Sequence, residues 1–253
     1  MKNYTLLLIL FFLSISFIYG STIAHWRFQN NLSSEVGGSN LVGTAYGSVS
    51  YSSDSPYGVG SSMDFSGGHV RMLSTTNITG GLNALTVEAF IKPDTANQFG
   101  TIYSEDMSYE PRSTFLGYMG TSNAIRFFVN VGSEFEVLDA PVPNLSGSWH
   151  HIAAVFDGAT KTSSIYLDGV LLLSRSLSIS TIAVSPVNPS IGVWSSSMAH
   201  YNFDGKIAEV RLSDQALSPS QFLNVVPELP THSFLTFAFL FISIISMTMR
   251  KQK

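Results

Sequence analysis

Between Ser21 and Val225 the chain consists of short runs in which apolar and polar residues alternate, divided by glycine, asparagine and serine. Period-two alternation places every second side chain on one face of a β-strand, and no segment here keeps the 3.6-residue period of an amphipathic helix. A single open sheet built from so many strands would leave an apolar face in water. We therefore predict an all-β fold in which two antiparallel sheets stack as a sandwich.

The runs also predict where the strands lie. The predicted strands are Ile23–Phe28, Ser62–Phe65, His69–Met72, Leu85–Ile91, Gly100–Ser104, Thr114–Tyr118, Ala124–Asn130, Glu134–Leu138, Trp149–Phe156, Thr162–Leu167, Val170–Ser174, Ser190–Trp194 and Lys206–Leu212. Asp168-Gly169 separates two of these runs. An Asp-Gly pair in that position predicts a tight hairpin, because both turn residues adopt positive φ.

The N-terminal end has the pattern of an export signal. One early positive charge at Lys2 precedes an apolar run over residues 4–18, and Gly20 supplies a small residue for cleavage. We therefore expect residues 1–20 to be a signal peptide and residues 21–225 to form one domain. The alternative is that the apolar run stays uncleaved as a membrane anchor.

The C-terminal end combines three parts. Val226, Pro227 and Glu228 begin a short motif over residues 226–232, an apolar run over 233–249 is long enough for a transmembrane helix, and residues 250–253 are polar and basic. The positive-inside bias predicts a cytoplasmic basic end and an outward-facing domain. This arrangement resembles the PEP-CTERM sorting signal, which implies a bacterial source and an exosortase as partner. The alternative is a plain membrane anchor.

Composition excludes two classes of function. The chain has no cysteine, so disulfides and thiolate zinc sites are excluded and the core is held by packing. The formal net charge is −4, and no basic run lies outside the ends, so nucleic-acid binding has no electrostatic support.

Three segments carry a family resemblance: Leu85–Ile91, Trp149–Gly158 and Phe203–Leu212. In this order and spacing they resemble the LamG-like jelly roll of the concanavalin A-like lectin/glucanase superfamily, which includes the pentraxins. The resemblance covers about Thr22 to Leu223. It implies a jelly-roll sandwich whose relatives bind glycans, hold Ca²⁺ at a sheet rim or cleave glycans.

The glycan-cleaving relatives place three carboxylates on one strand, in a Glu-x-Asp-x-Glu or similar pattern. The nearest match is Glu134, Glu136 and Asp139. Glu134 and Glu136 share a strand face, but Asp139 falls on the other face, so the set does not converge on one bond. His150 and His151 likewise point to opposite faces and form no metal pair. We predict that the chain is not an enzyme.

The resemblance to pentraxins implies one group of calcium ligands in the loop that holds Glu105 and Asp106. The second group would follow the strand at Ser190, where this chain has Trp194 and serines instead of acidic and amide residues. A calcium site at Asp204 is a separate alternative, because carboxylates and carbonyls are the ligands that Ca²⁺ prefers. No cofactor is required by either interpretation.

Sugar binding needs exposed aromatic faces beside polar groups. Trp194, Tyr201 and Tyr109 lie in or beside predicted loops and are the aromatic candidates; the alternative is that they are buried or incidental.

Together these features predict an exported, non-catalytic binding or adhesion module for glycan or extracellular-matrix components at the bacterial surface. The alternatives are a structural matrix protein without a small ligand and a glycan-cleaving hydrolase.

Overall fold

The computed structural model describes residues 21–73, 77–105, 113–131, 134–194 and 201–223. It contains fifteen strands and short 3₁₀ turns at Ser39–Leu41, Gly120–Ser122 and Pro219–Gln221. The strands are β1 (Thr22–Trp26), β2 (Thr44–Tyr46), β3 (Val49–Ser52), β4 (Ser62–Ser66), β5 (His69–Arg71), β6 (Ala84–Pro93), β7 (Phe99–Ser104), β8 (Thr114–Met119), β9 (Ala124–Val131), β10 (Glu134–Pro141), β11 (His150–Asp157), β12 (Thr162–Leu167), β13 (Val170–Ser176), β14 (Ser190–Ile191) and β15 (Asp204–Ser213).

The strands form two antiparallel sheets. Sheet I is eight-stranded, in the order β13-β12-β11-β6-β15-β4-β3, with β1 also paired to β15. Sheet II is seven-stranded, in the order β10-β9-β8-β7-β14-β5-β2. The predicted all-β, jelly-roll-like sandwich of two antiparallel sheets is confirmed.

The core lies between the two sheets. Sheet I contributes Ile152, Ala154 and Phe156 from the inner face of β11, and sheet II contributes Tyr118 and Phe127, all fully buried. Alternate residues of the same strands point the other way, as period-two geometry requires. The core is therefore held together by packing. The outer face of each sheet can be covered by other parts of the chain or can bind a ligand.

The strand predictions are largely confirmed, with differences at two edge strands and at β14. The short edge strands β2 and β3 were not predicted, and the predicted strand Ser190–Trp194 is wrong beyond Ile191. Gly192 has φ +85°, which turns the chain out of sheet II. The Asp168-Gly169 hairpin is confirmed, since both residues have positive φ, 50° and 78°.

The outer face of sheet I is covered near its centre by the end of the domain. Phe222 packs against His151 and Tyr166, with ring centroids 5.8 and 5.1 Å apart. The backbone N–H of Leu223 donates to a buried carboxylate oxygen of Glu88 at 2.7 Å. This covering leaves the outer face of sheet II as the place to look for a ligand site.

Both apolar ends of the chain lie outside the described residues. The predicted signal peptide, the motif of Val226, Pro227 and Glu228, and the predicted transmembrane helix over 233–249 all fall there. Among the residues that the structure does describe, no helix is long and apolar enough to cross a membrane.

Candidate ligand pocket

Sheet II carries apolar side chains on both faces at β8 and β9. Leu116 and Phe127 point into the core, whereas Phe115, Met119 and Phe128 point outward and form a separate apolar cluster. Outward-facing positions on a half-buried antiparallel sheet are normally polar, so this buried apolar cluster is unusual. Here its side chains are the floor of a pocket on the outer face.

The floor is built from stacked rings. Phe115 and Phe128 are register partners across β8 and β9, and their rings lie parallel, with centroids 5.0 Å apart and planes 8° apart. Gly117 makes room for this stack. A Cβ atom at Gly117 would lie 2.7 Å from the Phe115 ring and 2.9 Å from the methyl of Met119. A glycine at this outward-facing position therefore lets both side chains fold over the sheet.

Two loop aromatics form the walls. After β14 the chain leaves the sheet at Gly192, and the backbone carbonyl of Trp194 accepts a hydrogen bond from the Ser104 hydroxyl at 2.9 Å. The Trp194 ring meets Phe115 edge-on at 5.6 Å and Tyr201 at 4.6 Å. The structure thus brings two of the sequence-predicted aromatic candidates together in one site.

The resulting cavity has a volume of about 270 Å³. Its lining residues are mostly aromatic or apolar and come from β7 to β10 and the loop after β14: Phe99, Phe115, Met119, Arg126, Phe128, Val137, Trp194 and Tyr201. Phe99 closes one side by an edge contact to Tyr201 at 6.0 Å and is itself 40% exposed. The pocket is therefore apolar in its floor and walls and reaches the surface.

The charged group in this lining is Arg126. Its Nε and Nη2 atoms donate to the two carboxylate oxygens of Asp139 at 2.8 and 2.7 Å, a bidentate ion pair across β9 and β10. The hydrogen bonds with Asp139 raise the pKa of Arg126 against the effect of burial, and the charges of Asp139 and Tyr201 act in the same direction. The pair gives the pocket both hydrogen-bond donors and acceptors.

Glu105, a predicted ligand residue, is placed in the interior. One carboxylate oxygen accepts from the backbone N–H of Ile78 at 2.7 Å and from the Tyr103 hydroxyl at 2.6 Å. The other accepts from Asn77 at 2.8 Å and from both the backbone N–H and hydroxyl of Thr79, at 3.0 and 2.6 Å. Burial raises the pKa of Glu105 although these donors oppose the shift. The side chain is thus fully buried and both of its oxygens are occupied by donors of the chain, and the ligand role of Glu105 stays a prediction.

Two further candidates, Asp106 and Tyr109, lie outside the described residues. Nothing about their positions follows from the structure. Their predicted roles in calcium or sugar binding stay predictions.

Asp204, the predicted calcium residue, is exposed at the start of β15. Burial, together with the charges of Asp94 and Asp64, raises the pKa of Asp204. The Lys206 ammonium lies 3.2 Å from Asp64 and 3.5 Å from Asp94, so a cation of the chain already stands among these carboxylates. Within the described ranges no group of three His, Cys, Asp or Glu side chains is placed to hold a metal ion. Calcium at Asp204 stays a prediction.

The carboxylates considered for catalysis do not converge in the described parts of β10. Glu136 accepts from the backbone N–H and hydroxyl of Ser178 at 2.9 and 2.7 Å, whereas Asp139 is held by Arg126. The adjacent histidines also separate. His150 pairs with Asp168, and His151 pairs with Glu88 on the other face, at 2.9 and 3.1 Å.

Sequence reasoning missed most of the pocket. Phe99, Phe115, Phe128 and Arg126 were assigned to strands or their edges and not to a site. A signal was present in Phe127-Phe128, since two adjacent aromatic residues in one strand must place one ring on each face.

Comparison with known proteins identifies the fold. Residues 65–222 match the profile of a family described as the Concanavalin A-like lectin/glucanases superfamily. No curated protein is similar in sequence. Among solved structures, domain 4 of AbnA, a GH43 extracellular arabinanase from Geobacillus stearothermophilus solved in complex with arabinotriose, is 20% identical, with a TM-score of 0.62 over 80% of this chain and 97% of that chain.

Two toxin chains share the fold as well. The binding domain of Paraclostridial Mosquitocidal Protein 1 is 10% identical, with a TM-score of 0.63, and covers 79% of this chain. A botulinum neurotoxin type C structure, from work on cell entry that depends on two ganglioside molecules, is 15% identical, with a TM-score of 0.60 over 79% of this chain. The present chain spans about half of each toxin chain, 50% and 49%. At these identities the likeness concerns the fold.

Proposed function

Since the chain belongs to the Concanavalin A-like lectin/glucanases superfamily, we propose that it is a non-catalytic module that binds a glycan in the pocket of Trp194 and Tyr201. The observation that carries this proposal is the combination of aromatic rings at a surface cavity with the Arg126–Asp139 pair at its wall. A sugar presents C–H faces that pack on aromatic rings and hydroxyls that need donors and acceptors, and this pocket supplies each of them.

The relatives support the same class of ligand. An arabinanase domain of this fold was solved with arabinotriose, and a neurotoxin of this fold depends on gangliosides for cell entry. Both ligands contain sugar, although the two proteins differ widely in biological role. A glycan or matrix polymer is therefore the partner that we propose for this chain.

We place this module at the bacterial surface or in the extracellular matrix. The support is the signal-peptide pattern of residues 1–20 and the tail that begins at Val226-Pro227-Glu228. In this proposal the tail holds the domain at the membrane at least transiently, and an exosortase is the processing partner. Mass spectrometry of the protein recovered from cell envelope and medium tests it: a mature chain that begins near Ser21 and ends before residue 233 supports export and processing, and an intact chain argues against cleavage at both ends.

Binding is tested with the full chain on a glycan array, followed by calorimetry on each hit. Reproducible binding that Trp194→Ala removes supports the proposal. Silence across neutral and acidic glycans favours the structural matrix protein instead. Release of reducing sugar by the purified protein, lost with Glu136→Gln, would favour the hydrolase.

A further inference from the structure

Resting on the proposed glycan-binding role, we infer that the pocket takes an uncharged saccharide, and that the Arg126–Asp139 ion pair sets this preference. The inference concerns which sugars bind, whereas the proposed function concerns whether sugars bind at all.

The first step concerns the cation at the pocket wall. Arg126 lines the pocket and is 35% exposed, and its ion-pair partner Asp139 is 43% exposed, so a ligand that contacts the guanidinium would lie close to both side chains. The two hydrogen bonds between them occupy one edge of the guanidinium and both carboxylate oxygens. A guanidinium recognises a ligand carboxylate best through a bidentate edge, and here Asp139 already takes the edge formed by Nε and Nη2.

The second step concerns Arg175, a cation of sheet I that contacts the edge strand β10 of sheet II. Arg175 on β13 donates to the backbone carbonyl of Val137, a lining residue, at 3.1 Å. Its charge contributes to the lowered pKa of Glu136, behind the hydrogen bonds from Ser178, so this cation also has an anion of the chain beside it. Each of these two arginines therefore has a carboxylate of the chain beside it, which weakens the positive field that an anion would meet at the pocket.

The third step compares how the two classes of sugar meet the pair. The carboxylate of an acidic sugar would have to displace Asp139 or lie against its oxygens, which costs repulsion and desolvation. The hydroxyls of a neutral sugar accept from the guanidinium N–H groups that Asp139 leaves free and donate to the remaining lone pairs of Asp139. A neutral sugar therefore uses the free N–H groups without like-charge repulsion from Asp139, whereas an acidic sugar meets that repulsion wherever it reaches the guanidinium.

The space beside the pair suits a small ring. Gly117 is the register partner of Arg126 on β8, and the Phe115 ring and the end of Met119 fold over it, so the guanidinium borders an apolar surface on that strand. The cavity of about 270 Å³ lies just below the range of roughly 300–1,000 Å³ that holds drug-sized ligands. We therefore assign the pocket to one sugar ring of a neutral chain or chain end.

The test uses the full chain and calorimetry with matched ligands: arabinotriose and xylotriose as neutral sugars, trigalacturonate and sialyllactose as acidic ones. We expect the neutral ligands to bind at least about tenfold more tightly, since like-charge contact and a displaced ion pair oppose the acidic ligands. Neutral binding should change little between about 0.05 and 0.5 M NaCl, because no net charge is neutralised. Preference for the acidic ligands, or strong weakening by salt, overturns the inference.

Variants of the pair make the test sharper. Asp139→Asn frees the guanidinium and should raise affinity for the acidic ligands about tenfold, with a new salt dependence. Arg126→Gln leaves Asp139 alone and should abolish acidic binding. Glu35→Gln removes the same charge as Asp139→Asn from an exposed side chain, so it is the control for that variant and should alter the affinity for neither class of sugar. An Asp139→Asn protein that folds, binds neutral sugar and keeps the wild-type preference contradicts the inference.

The two proposals fail in different ways. If no ligand of either class binds, or if Trp194→Ala leaves binding intact, the proposed function of the pocket is wrong. If binding depends on Trp194 but favours acidic sugars, only the assignment of the ligand class is wrong.

Discussion

Trp194 and Tyr201 meet edge to face, with ring centroids 4.6 Å apart and planes 71° apart. Trp194 also contacts Phe115 on the sheet at 5.6 Å. The indole is thus the link between the loop wall and the stacked floor of the pocket. Edge-to-face geometry is the arrangement that aromatic pairs favour, so the contact fixes both rings over the sheet.

Trp194→Ala should remove most of the glycan affinity. The change deletes one wall and the support of Tyr201, and we expect at least a tenfold loss, which corresponds to about 1.4 kcal/mol. Calorimetry with the best array ligand measures it. Tyr51→Ala is the matched control, because Tyr51 is an exposed aromatic residue on an edge strand of sheet I. Equal effects of both variants would show that the pocket is not the binding site.

The fold could be predicted from the sequence because its information is local. Alternation located most strands, and Asp168-Gly169 identified a hairpin whose φ values the structure confirms. The short edge strands β2 and β3 could not be predicted, because three or four residues with little apolar content are too few to show an alternating pattern. Their pairing depends on neighbouring strands and not on their own sequence.

The pocket could be predicted only in part, because its residues come together through contacts between distant parts of the chain. Trp194 and Tyr201 were selected as loop aromatics, but nothing local shows that they close over Phe115 and Phe128. That contact depends on Gly192, which ends β14 early, and on the register of β8 against β9. The burial of Glu105 could not be predicted either, because an acidic residue beside a loop is usually exposed, whereas here five donors hold its carboxylate inside.

Gly117→Ala should weaken binding while the fold survives. The new methyl would lie within 3 Å of the Phe115 ring and the end of Met119, so these side chains must shift towards the cavity. Overpacking of this kind typically costs about 1–3 kcal/mol. We expect a lower melting temperature and a several-fold loss of affinity. Gly147→Ala, where nothing lies within 4 Å of the added atom but φ is +83°, destabilises the domain away from the pocket and so controls for a general loss of stability. Unchanged affinity in Gly117→Ala would contradict the role of this glycine.

Glu105→Gln should destabilise the domain. The carboxylate is the acceptor in all five of its hydrogen bonds. The amide of the variant is itself a donor at its NH₂ group, so that group would face donors of the chain and leave them without an acceptor. Each buried donor left unsatisfied costs about 1–3 kcal/mol. Chemical denaturation should show a fall of at least this size, and Glu35→Gln, on the surface, should show almost none. A Glu105→Gln protein as stable as wild type would indicate that the carboxyl is held in its protonated form.

Removal of divalent metal should leave stability and glycan binding unchanged. Lys206 already provides positive charge between Asp64 and Asp94, beside the predicted calcium residue Asp204. A lysine in that place competes with a cation for the same oxygens. Melting curves with EDTA and with added Ca²⁺ measure the effect. A lower melting temperature in EDTA that Ca²⁺ restores, and that Asp204→Asn abolishes, would establish the calcium site instead.

Stability should fall in acid partly through Glu209, which joins β15 to β1. Its carboxylate lies 3.0 Å from Nε2 of His25 and accepts from Nε of Arg27 at 3.2 Å. Burial acts to raise the pKa of Glu209, but the hydrogen bonds and charges of His25 and Arg27 outweigh it and hold the pKa below its usual value.

A carboxyl with a folded-state pKa below its unfolded value binds protons more readily when unfolded. Its stabilisation is therefore complete above the unfolded pKa of about 4.3 and is lost as the pH falls through the folded value. The free energy of unfolding of the wild type should decline over that window, and Glu209→Gln should be less stable at neutral pH and decline less steeply. Glu136→Gln is a useful comparison, because the pKa of that exposed carboxyl is also lowered, by Ser178, but solvent screens the interaction. Denaturation curves at a series of pH values test this prediction. If the free energy of unfolding of Glu209→Gln falls with decreasing pH as steeply as that of the wild type, other carboxyls cause the loss of stability in acid.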